Sequence, residues 1–329
     1  MPKTTFFRDD SLIRLALYIV AGFLLAWNLL RVWPGERLWV VALVNYFTLW
    51  FALGLIPMLV LAILLRDRRL ALLQLLALVT MGARFVPDIR RGPPPLRDGT
   101  QELKVMTFNV DKKNRNPVGV KEIILSEGAD IVLMQELTQE LSSYLLETLK
   151  ETYPYHTLDG VDLVEGQGAM SRFPIIASSP LPDYRYQRIT VESPMGMITV
   201  LNIHTPTLFP IGWREDWEHQ RAFVEELVSE VRGMSGPLLV VGDFNTTPLS
   251  ENYAILTRVL TDTYLERGSG LGFTYPAGPK FGVPIPSPLV RIDYIFHSRH
   301  FSSMEVHVVM ENGGSDHLPV VGSYLGRAE

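Results

Sequence analysis

Four apolar stretches of this sequence carry, at one end, polar residues spaced two apart. They are Asn109 and Asp111 in "LKVMTFNVD", Asn202 and His204 in "MITVLNIHTP", Asp243 and Asn245 in "LLVVGDFN", and Arg291 and Asp293 in "LVRIDYIFHS". Glu136 closes a further run, "ADIVLMQE", and Asp316 and His317 stand just before "LPVVGSYL". One such pair is ordinary turn chemistry, since Gly, Asp and Asn are common in turns. Their repetition suggests more. Residues two apart in a strand share a face, so strands ending this way would gather carboxylates, amides and imidazoles at one edge of a sheet. A cluster of carboxylates needs a cation to offset its repulsion. The chain has no cysteine, which excludes disulfides, thiolate zinc sites and a cysteine nucleophile. Oxygen donors without thiolate select a hard ion, Mg²⁺ or Mn²⁺. A metal, an acid beside a water and a phosphate-binding histidine are the parts needed to hydrolyse a phosphate ester by in-line attack.

The surrounding pattern supplies elements to carry these groups. From Leu103 a strand leads to Asn109. "VKEIILSEGADIVLMQE" reads as a helix, a turn at Gly128 and a buried strand ending at Glu136. "GAMSRFPI" (Gly168–Ile175) reads as a strand. Asp216–Gly233 reads as a helix, with Trp217, Phe223, Val224, Leu227, Val228 and Val231 on one face and Gly233 closing it. The strand Leu238–Asp243 follows, with Phe244 expected to turn away into packing.

In this order, "TFNVD", "LMQE", "MSRFP", "NIHT", "GDFN", "RIDYIF" and "SDHLPV" resemble the endonuclease/exonuclease/phosphatase (DNase I-like) superfamily of metal-dependent phosphohydrolases. The matching stretches run from Thr107 to Val320. The resemblance implies an α/β fold, a four-layer α-β-β-α sandwich with the site at one edge. It also implies roles. Glu136 is the principal metal carboxylate, with Asn109, Asp111 and Asp316 helping directly or through water. Asp243 orients or deprotonates the attacking water. Asn202 and Asn245 hydrogen-bond phosphate oxygens, and Arg291 either makes a further phosphate contact or braces its strand. His317 meets the scissile phosphate and is oriented by Asp293, and His204 is a second active-site histidine. The tyrosine that abasic-site endonucleases place in the Asn202–His204 region is not evident. A tethered binding module without chemistry is the alternative class, and the filled catalytic positions weigh against it.

The amino-terminal third differs in kind. Residues 1–96 carry a net charge of +6, from 11 Lys or Arg against 5 Asp or Glu, and residues 97–329 carry −11, from 19 against 30. An acidic domain is poorly suited to sequence-independent binding of nucleic acid, which rests on phosphate neutralisation. Three apolar runs stand out: Leu15–Leu30, the 28 uncharged residues Leu38–Leu65, and Leu70–Ala83. A membrane span takes roughly 20 apolar residues. The second run is long enough, with tilt or a bend near Pro57. The first is long enough if its flanking arginines reach the interface, and the third either spans or lies in the interface. Trp27, Trp33 and Trp39 fit an interfacial belt.

Residues 1–86 are therefore expected to be a membrane anchor of two to three helices, 87–102 a Pro/Gly-rich linker, and 103–329 the catalytic domain. Lys3, Arg8, Arg14, Arg66, Arg68 and Arg69 on the cytoplasmic side would place that domain outside a bacterial inner membrane. The expected partners are the lipid bilayer and a phosphate-ester substrate, a lipid head group or a nucleic acid. The Pro206–Trp217 stretch, with Leu208, Phe209, Ile211 and Trp213, either packs or forms an apolar lip that meets lipid. The expected activity is Mg²⁺-dependent phosphohydrolysis at or near the membrane, with an extracytoplasmic nuclease as the alternative.

Overall fold

The computed structural model describes residues 10–85, 102–161, 163, 165–180, 186–207, 213–278 and 288–326. Residues 87–101 of the expected linker at 87–102 and the stretch 208–212 lie outside them, as does the side chain of Trp213. The chain divides into two units.

The first unit is helical: α1 (Ser11–Leu30), α2 (Trp39–Tyr46), α3 (Thr48–Leu64) and α4 (Arg68–Gly82). Leu17 of α1 clusters with Ala62 of α3 and Leu70 of α4. Leu24 and Trp27 cluster with Ala52 and Leu55, and with Ala77 and Met81. Helices α1 and α4 therefore run in the same direction and α3 runs against them. The 28-residue apolar run is not one helix. It breaks between α2 and α3 with a bend of 77°, at Phe47 rather than near Pro57. Polar side chains explain the break. Thr48 Oγ1 donates to the Val44 carbonyl (2.6 Å), and Asn45 Oδ1 accepts from Trp27 Nε1 (3.0 Å). Such bonds compete with a continuous helical ladder. Among the described residues, α1 is long and apolar enough to cross a membrane, and the bent α2–α3 pair passes only when taken together.

Among the described residues the second unit has twelve strands: β1 (Glu102–Asn109), β2 (Ile131–Gln135), β3 (Tyr155–Asp159), β4 (Gln167–Ser171), β5 (Ile175–Pro180), β6 (Tyr186–Ser193), β7 (Gly196–His204), β8 (Leu238–Asp243), β9 (Thr261–Asp262), β10 (Asp293–His297), β11 (Phe301–Val308) and β12 (Val320–Gly326). Its helices are α5 (Pro117–Glu127), α6 (Gln139–Leu149), α7 (Trp213–Gly233), α8 (Glu251–Leu256) and α9 (Thr263–Arg267). The strands form two mixed six-stranded sheets, ordered β11-β12-β1-β2-β4-β3 and β5-β6-β7-β8-β10-β9.

Strand alternation produces the layers. Val105, Leu133, Val200, Val241 and Ile295 point into the space between the sheets. Their neighbours Met106, Val132 and Met134 pack outward on Val120, Ile123 and Ile124 of α5 and Leu141 and Leu145 of α6. On the other side Leu201, Val240 and Phe296 pack on Phe223, Leu227 and Val231 of α7. The result is helix, sheet, sheet, helix, as in the DNase I-like fold.

"GAMSRFPI" is two strands. It leaves the first sheet at Ser171 and enters the second at Ile175, and Pro174, which has no N–H to give a ladder, lies in the crossing. Connectivity fixes where the functional groups gather. β1 runs parallel to β2, and β7 parallel to β8, so each pair delivers its carboxyl ends to one edge. β10 runs antiparallel to β8 with Asp293 opposite Asp243. β12 runs antiparallel to β1, which brings residues 315–317 back to the end of β1.

Candidate active site

Gly242 permits the tightest part of the site. Its φ is +138°, and a Cβ there would lie 1.9 Å from the Ile203 carbonyl oxygen. Only glycine lets β8 approach β7 so closely. His204 then stands opposite Asp243 in the ladder. Phe244 turns away, fully buried, with its ring edge-on to Tyr294 and Phe296 at 5.8 and 5.1 Å.

The spacing of two has a different cause at two of the four strand ends. Asp243 Oδ1 accepts from the Asn245 backbone N–H (2.9 Å), and Asn109 Oδ1 from that of Asp111 (3.1 Å). These are Asx turns, so the turn and the functional edge are one structure. The backbone is strained where the chain leaves the sheets. Asp111, Glu136 and Asn245 have φ of 55°, 54° and 44°. Left-handed backbone is rare outside glycine and costs on the order of 1–3 kcal/mol per residue. Its concentration here marks conformations held by their surroundings.

Asp243 is the hub. Its Oδ2 accepts from Asn109 Nδ2 (3.1 Å) and more weakly from Asn245 Nδ2 (3.4 Å). His317 Nε2 lies 3.7 Å from the same oxygen and His204 Nε2 3.8 Å from it. His204 Nε2 is also 3.7 Å from Glu136 Oε1. His317 Nδ1 is held by Asp293, at 3.0 Å from Oδ2 and 3.2 Å from Oδ1. Its ring also lies 4.7 Å from that of Tyr275. The loop before it is tied down, because Ser315 Oγ donates to the Asn109 carbonyl (2.7 Å) and accepts from His317 N–H (3.0 Å).

Burial, followed by the charge of Asp293, pushes the Asp243 carboxyl up to about 6, against the pull of His317 and His204. Burial works the other way on His317 and would lower it. The carboxylates of Asp293, Asp243 and Asp316 outweigh that and raise it to about 10. At neutral pH His317 is an imidazolium facing a carboxylate that is deprotonated but still basic.

Asp243, Asp293 and His317 offer potential ligand atoms within 4.8 Å of one another. Two features make them a proton-holding pair beside an acid rather than a metal cage: His317 Nδ1 is bonded to Asp293, and the ring holds its proton. Glu136 suits an ion better. Its oxygens receive long bonds from Asn109 Nδ2 and Lys112 N–H, each 3.3 Å, and its side chain is 18 % exposed. Weakly used lone pairs on an accessible carboxylate are hard-ion donors.

The structure thus brings together Asn109, Glu136, His204, Asp243, Asn245, Asp293 and His317. Asp316 Oδ1 lies 3.8 Å from His317 Nε2. Asp111 accepts from the Lys113 N–H (2.9 Å) and holds the turn that aims Lys112 N–H at Glu136. Two expectations need correction. Asn202 is fully buried between the sheets and donates to the carbonyls of Met134 (3.0 Å) and Gly168 (3.2 Å) while accepting from Gln135 Nε2 (2.6 Å). It joins the two sheets and has no face for a phosphate. Arg291 is buried in an ion pair with Asp262 (2.8 Å), its guanidinium 4.9 Å from the Tyr294 ring centre and 5.0 Å from that of Tyr264. It braces the approach to β10. Sequence reasoning missed Ser315, Tyr275 and Thr274, whose Oγ1 accepts from the backbone N–H of Asp293 (3.3 Å). Only Ser315 carried a signal, as a hydroxyl two residues before His317.

This geometry agrees with sequence comparison. The family described as Endonuclease/Exonuclease/phosphatase family matches residues 106–317. The chain belongs to that family. No curated protein matches the sequence. Solved structures share the fold of the endonuclease/exonuclease/phosphatase unit. A family protein from Bacteroides thetaiotaomicron is 20 % identical with a TM-score of 0.53, over 69 % of this chain and 96 % of that one. D. rerio TDP2 complexed with single strand DNA product is 17 % identical with a TM-score of 0.57, over 68 % and 99 %. The 3' phosphatase NExo from Neisseria, bound to a product DNA hairpin, is 20 % identical with a TM-score of 0.55, over 67 % and 98 %. The family is divalent-metal dependent, and the protein is a metal-dependent hydrolase of ester bonds.

Proposed function

We propose that this protein is a membrane-anchored, Mg²⁺-dependent phosphohydrolase that cleaves a phosphate ester at or near the bilayer. The observation that carries the chemistry is the single oxygen, Asp243 Oδ2, on which Asn109, His204 and His317 converge. Asp243 accepts the proton of the attacking water. The water oxygen bonds to phosphorus as the bond to the leaving oxygen breaks. His317, charged and aligned by Asp293, faces the phosphate oxygens, and His204 steadies the phosphate or the leaving oxygen. Asn245, fixed by its bonds to Asp243 and to the Thr205 carbonyl (3.0 Å), keeps that acid oriented. Glu136 would hold Mg²⁺ with Asn109 and Asp316, and the ion would neutralise phosphate charge.

The membrane reading rests on α1, which is long and apolar enough to span, and on the acidic charge of the catalytic unit. A nuclease is the second reading, and one observation favours it. Lys112, Lys113 and Arg115 line a cleft of about 730 Å³ with Thr138, Gln139, Glu140 and Ser143. The cleft adjoins Glu136 through the Lys112 N–H, and it would suit a phosphate next to the scissile one.

The test is the full-length protein in mild detergent with Mg²⁺, given phospholipid vesicles, plasmid DNA, RNA and a small soluble phosphodiester in parallel. Release of phosphate or phosphorylated head group from vesicles is expected to exceed nicking. EDTA is expected to abolish turnover and Mg²⁺ to restore it. Efficient nicking with no release from vesicles selects the nuclease, and chelator-insensitive turnover removes the metal.

A further inference from the structure

Trp27, near the end of α1, is buried, and two arginines lie against it. The guanidinium of Arg31 is 5.7 Å from the centre of its ring and that of Arg84 is 5.4 Å from it. Arg84 also makes a weak bond to Asn28 Oδ1 (3.4 Å). Arg31 Nη1 and Arg84 Nε are shielded from solvent and have no hydrogen-bond partner among the described residues. Because α1 and α4 run in the same direction, both helices end here. Cations near helix carboxyl ends are favourable in themselves, and that is the plainer account of this pair. It would have the arginines bonded to the last carbonyls, and these two N–H groups bond to none of them. A buried cationic donor without a partner is costly. The Glu36 and Glu251 carboxylates act on Arg31 through space, but Glu36 accepts from Asn45 Nδ2 (2.6 Å) and neither carboxylate bonds Nη1.

We propose that Arg31 and Arg84 form a binding site for the phosphate of a phospholipid. A phosphate supplies several strong acceptors, and charge-assisted bonds to guanidinium are the strong class. The surroundings select a lipid over a free anion. Leu29, Val32 and Trp33 are exposed beside Arg31, and Leu76 and Val79 are exposed on α4 within two turns of Arg84. An acyl chain can cover that apolar surface, and an aromatic side chain with a polar edge favours the head-group level. Two cations at one place favour an anionic lipid such as phosphatidylglycerol over a zwitterionic one. The proposal rests on the membrane reading of the helical unit and would give the anchor a preference for anionic membrane.

Native mass spectrometry of the full-length protein, supplied in detergent with equal phosphatidylglycerol and phosphatidylcholine, reads the bound lipid directly. Wild type is expected to retain phosphatidylglycerol preferentially. R31Q/R84Q should retain it roughly tenfold less or weaker, since two charge-assisted bonds are lost. R66Q/R69Q, which removes charge from the opposite helix ends, should behave as wild type. If R31Q/R84Q loses helicity by circular dichroism, the single variant R84Q is read instead, with a smaller loss expected. Equal retention by wild type and the arginine variants overturns the site. So does an equal loss in R66Q/R69Q, which would mean general charge attraction. Displacement of the lipid by millimolar inorganic phosphate would make it a small-anion site and overturn the lipid assignment. Failure of the membrane reading is separate: alkaline carbonate would then strip the protein from cell membranes, whatever lipid it holds in detergent.

Discussion

His317 Nδ1 is bonded to Asp293, 3.0 Å from Oδ2 and 3.2 Å from Oδ1, while Nε2 of the same ring faces Asp243 Oδ2 at 3.7 Å. One ring therefore lies between two carboxylates, and the three groups titrate together. The carboxylates raise His317 to about 10 despite its burial, and burial together with Asp293 raises Asp243 to about 6.

The pH profile follows from those directions. Asp243 accepts a proton only in its ionised form, which dominates above about 6. His317 serves as a cation only while protonated, which holds below about 10. The expected kcat/KM profile is a plateau between these values with a falling limb on each side. Mg²⁺ adds positive charge, so the acid limb should move down as Mg²⁺ rises. Asp293→Asn removes a charge that raises both groups, so both limbs should move to lower pH. An alkaline limb that stays in place in Asp293→Asn takes His317 out of the mechanism.

Gly242→Ala should prevent folding or destabilise the protein severely. The new Cβ would meet the Ile203 carbonyl at 1.9 Å, with φ at +138°. Strain of that kind costs on the order of 1–3 kcal/mol before the clash is counted, and the clash is with backbone, which cannot rotate away. Gly233→Ala is the control. It has open space and no positive φ, so it should be neutral or stabilising by about 0.4–1 kcal/mol. Urea denaturation of the two variants checks both. A Gly242→Ala protein as stable as wild type would mean that β7 and β8 are not packed this closely.

The order of strands and helices around the site was legible because each run is strongly patterned. The edge cluster was legible because its acids and amides repeat. The spacing of two was right for a partly different reason. At Asn109 and Asp243 it records Asx turns, which look like strand alternation in a sequence. Asn202 shares its strand face with His204, but one position deeper that face lies between the sheets, and burial depth is not written in a local pattern. Arg291 is the same lesson in charge: its partner Asp262 is 29 residues away in sequence, and only the pairing of β9 with β10 brings them together. Tyr275 reaches His317 from a stretch with no periodicity. The break at Phe47 depends on Asn45 meeting Trp27, a contact between helices.

Arg291→Met and Asn202→Ala separate bracing from phosphate binding. Removing one partner of a buried ion pair leaves the other charge uncompensated, which costs about 3–5 kcal/mol. Arg291→Met should therefore destabilise the protein by about that amount, stranding Asp262. Asn202→Ala removes one acceptor and two donated bonds within the sandwich and should cost about 1–3 kcal/mol. Variants that remain folded should show a KM near that of wild type. Chemical denaturation and steady-state kinetics on the same preparations read both quantities. Unchanged stability with a large rise in KM would restore either residue as a phosphate ligand.

The parallel course of α1 and α4 sets an expectation for the side of the catalytic unit. Helix α4 has 15 residues, which at 1.5 Å per residue is about 22 Å, short of a hydrocarbon core of roughly 30 Å. Length alone leaves the number of crossings open. Direction does not: Ala62, Leu70 and Leu17 meet at one end of the helical unit, and Leu55, Met81 and Trp27 at the other. The chain therefore leaves α4 at the end where α1 finishes. The opposite end carries Arg14, Arg66, Arg68 and Arg69, with Lys3 and Arg8 just upstream in the sequence. The end where α4 finishes carries Arg31, Arg37 and Arg84, with Arg90, Arg91 and Arg97 downstream in the sequence. Within the helical unit itself four arginines against three favour the first end in the cytoplasm, and a large domain translocates largely regardless of the charges before it, so the catalytic unit is expected outside it. A carboxy-terminal alkaline phosphatase fusion should be active, and a green fluorescent protein fusion at the same position dark. A stable but inactive phosphatase fusion together with a bright fluorescent one would place the unit in the cytoplasm, and with it a substrate on the inner face of the membrane.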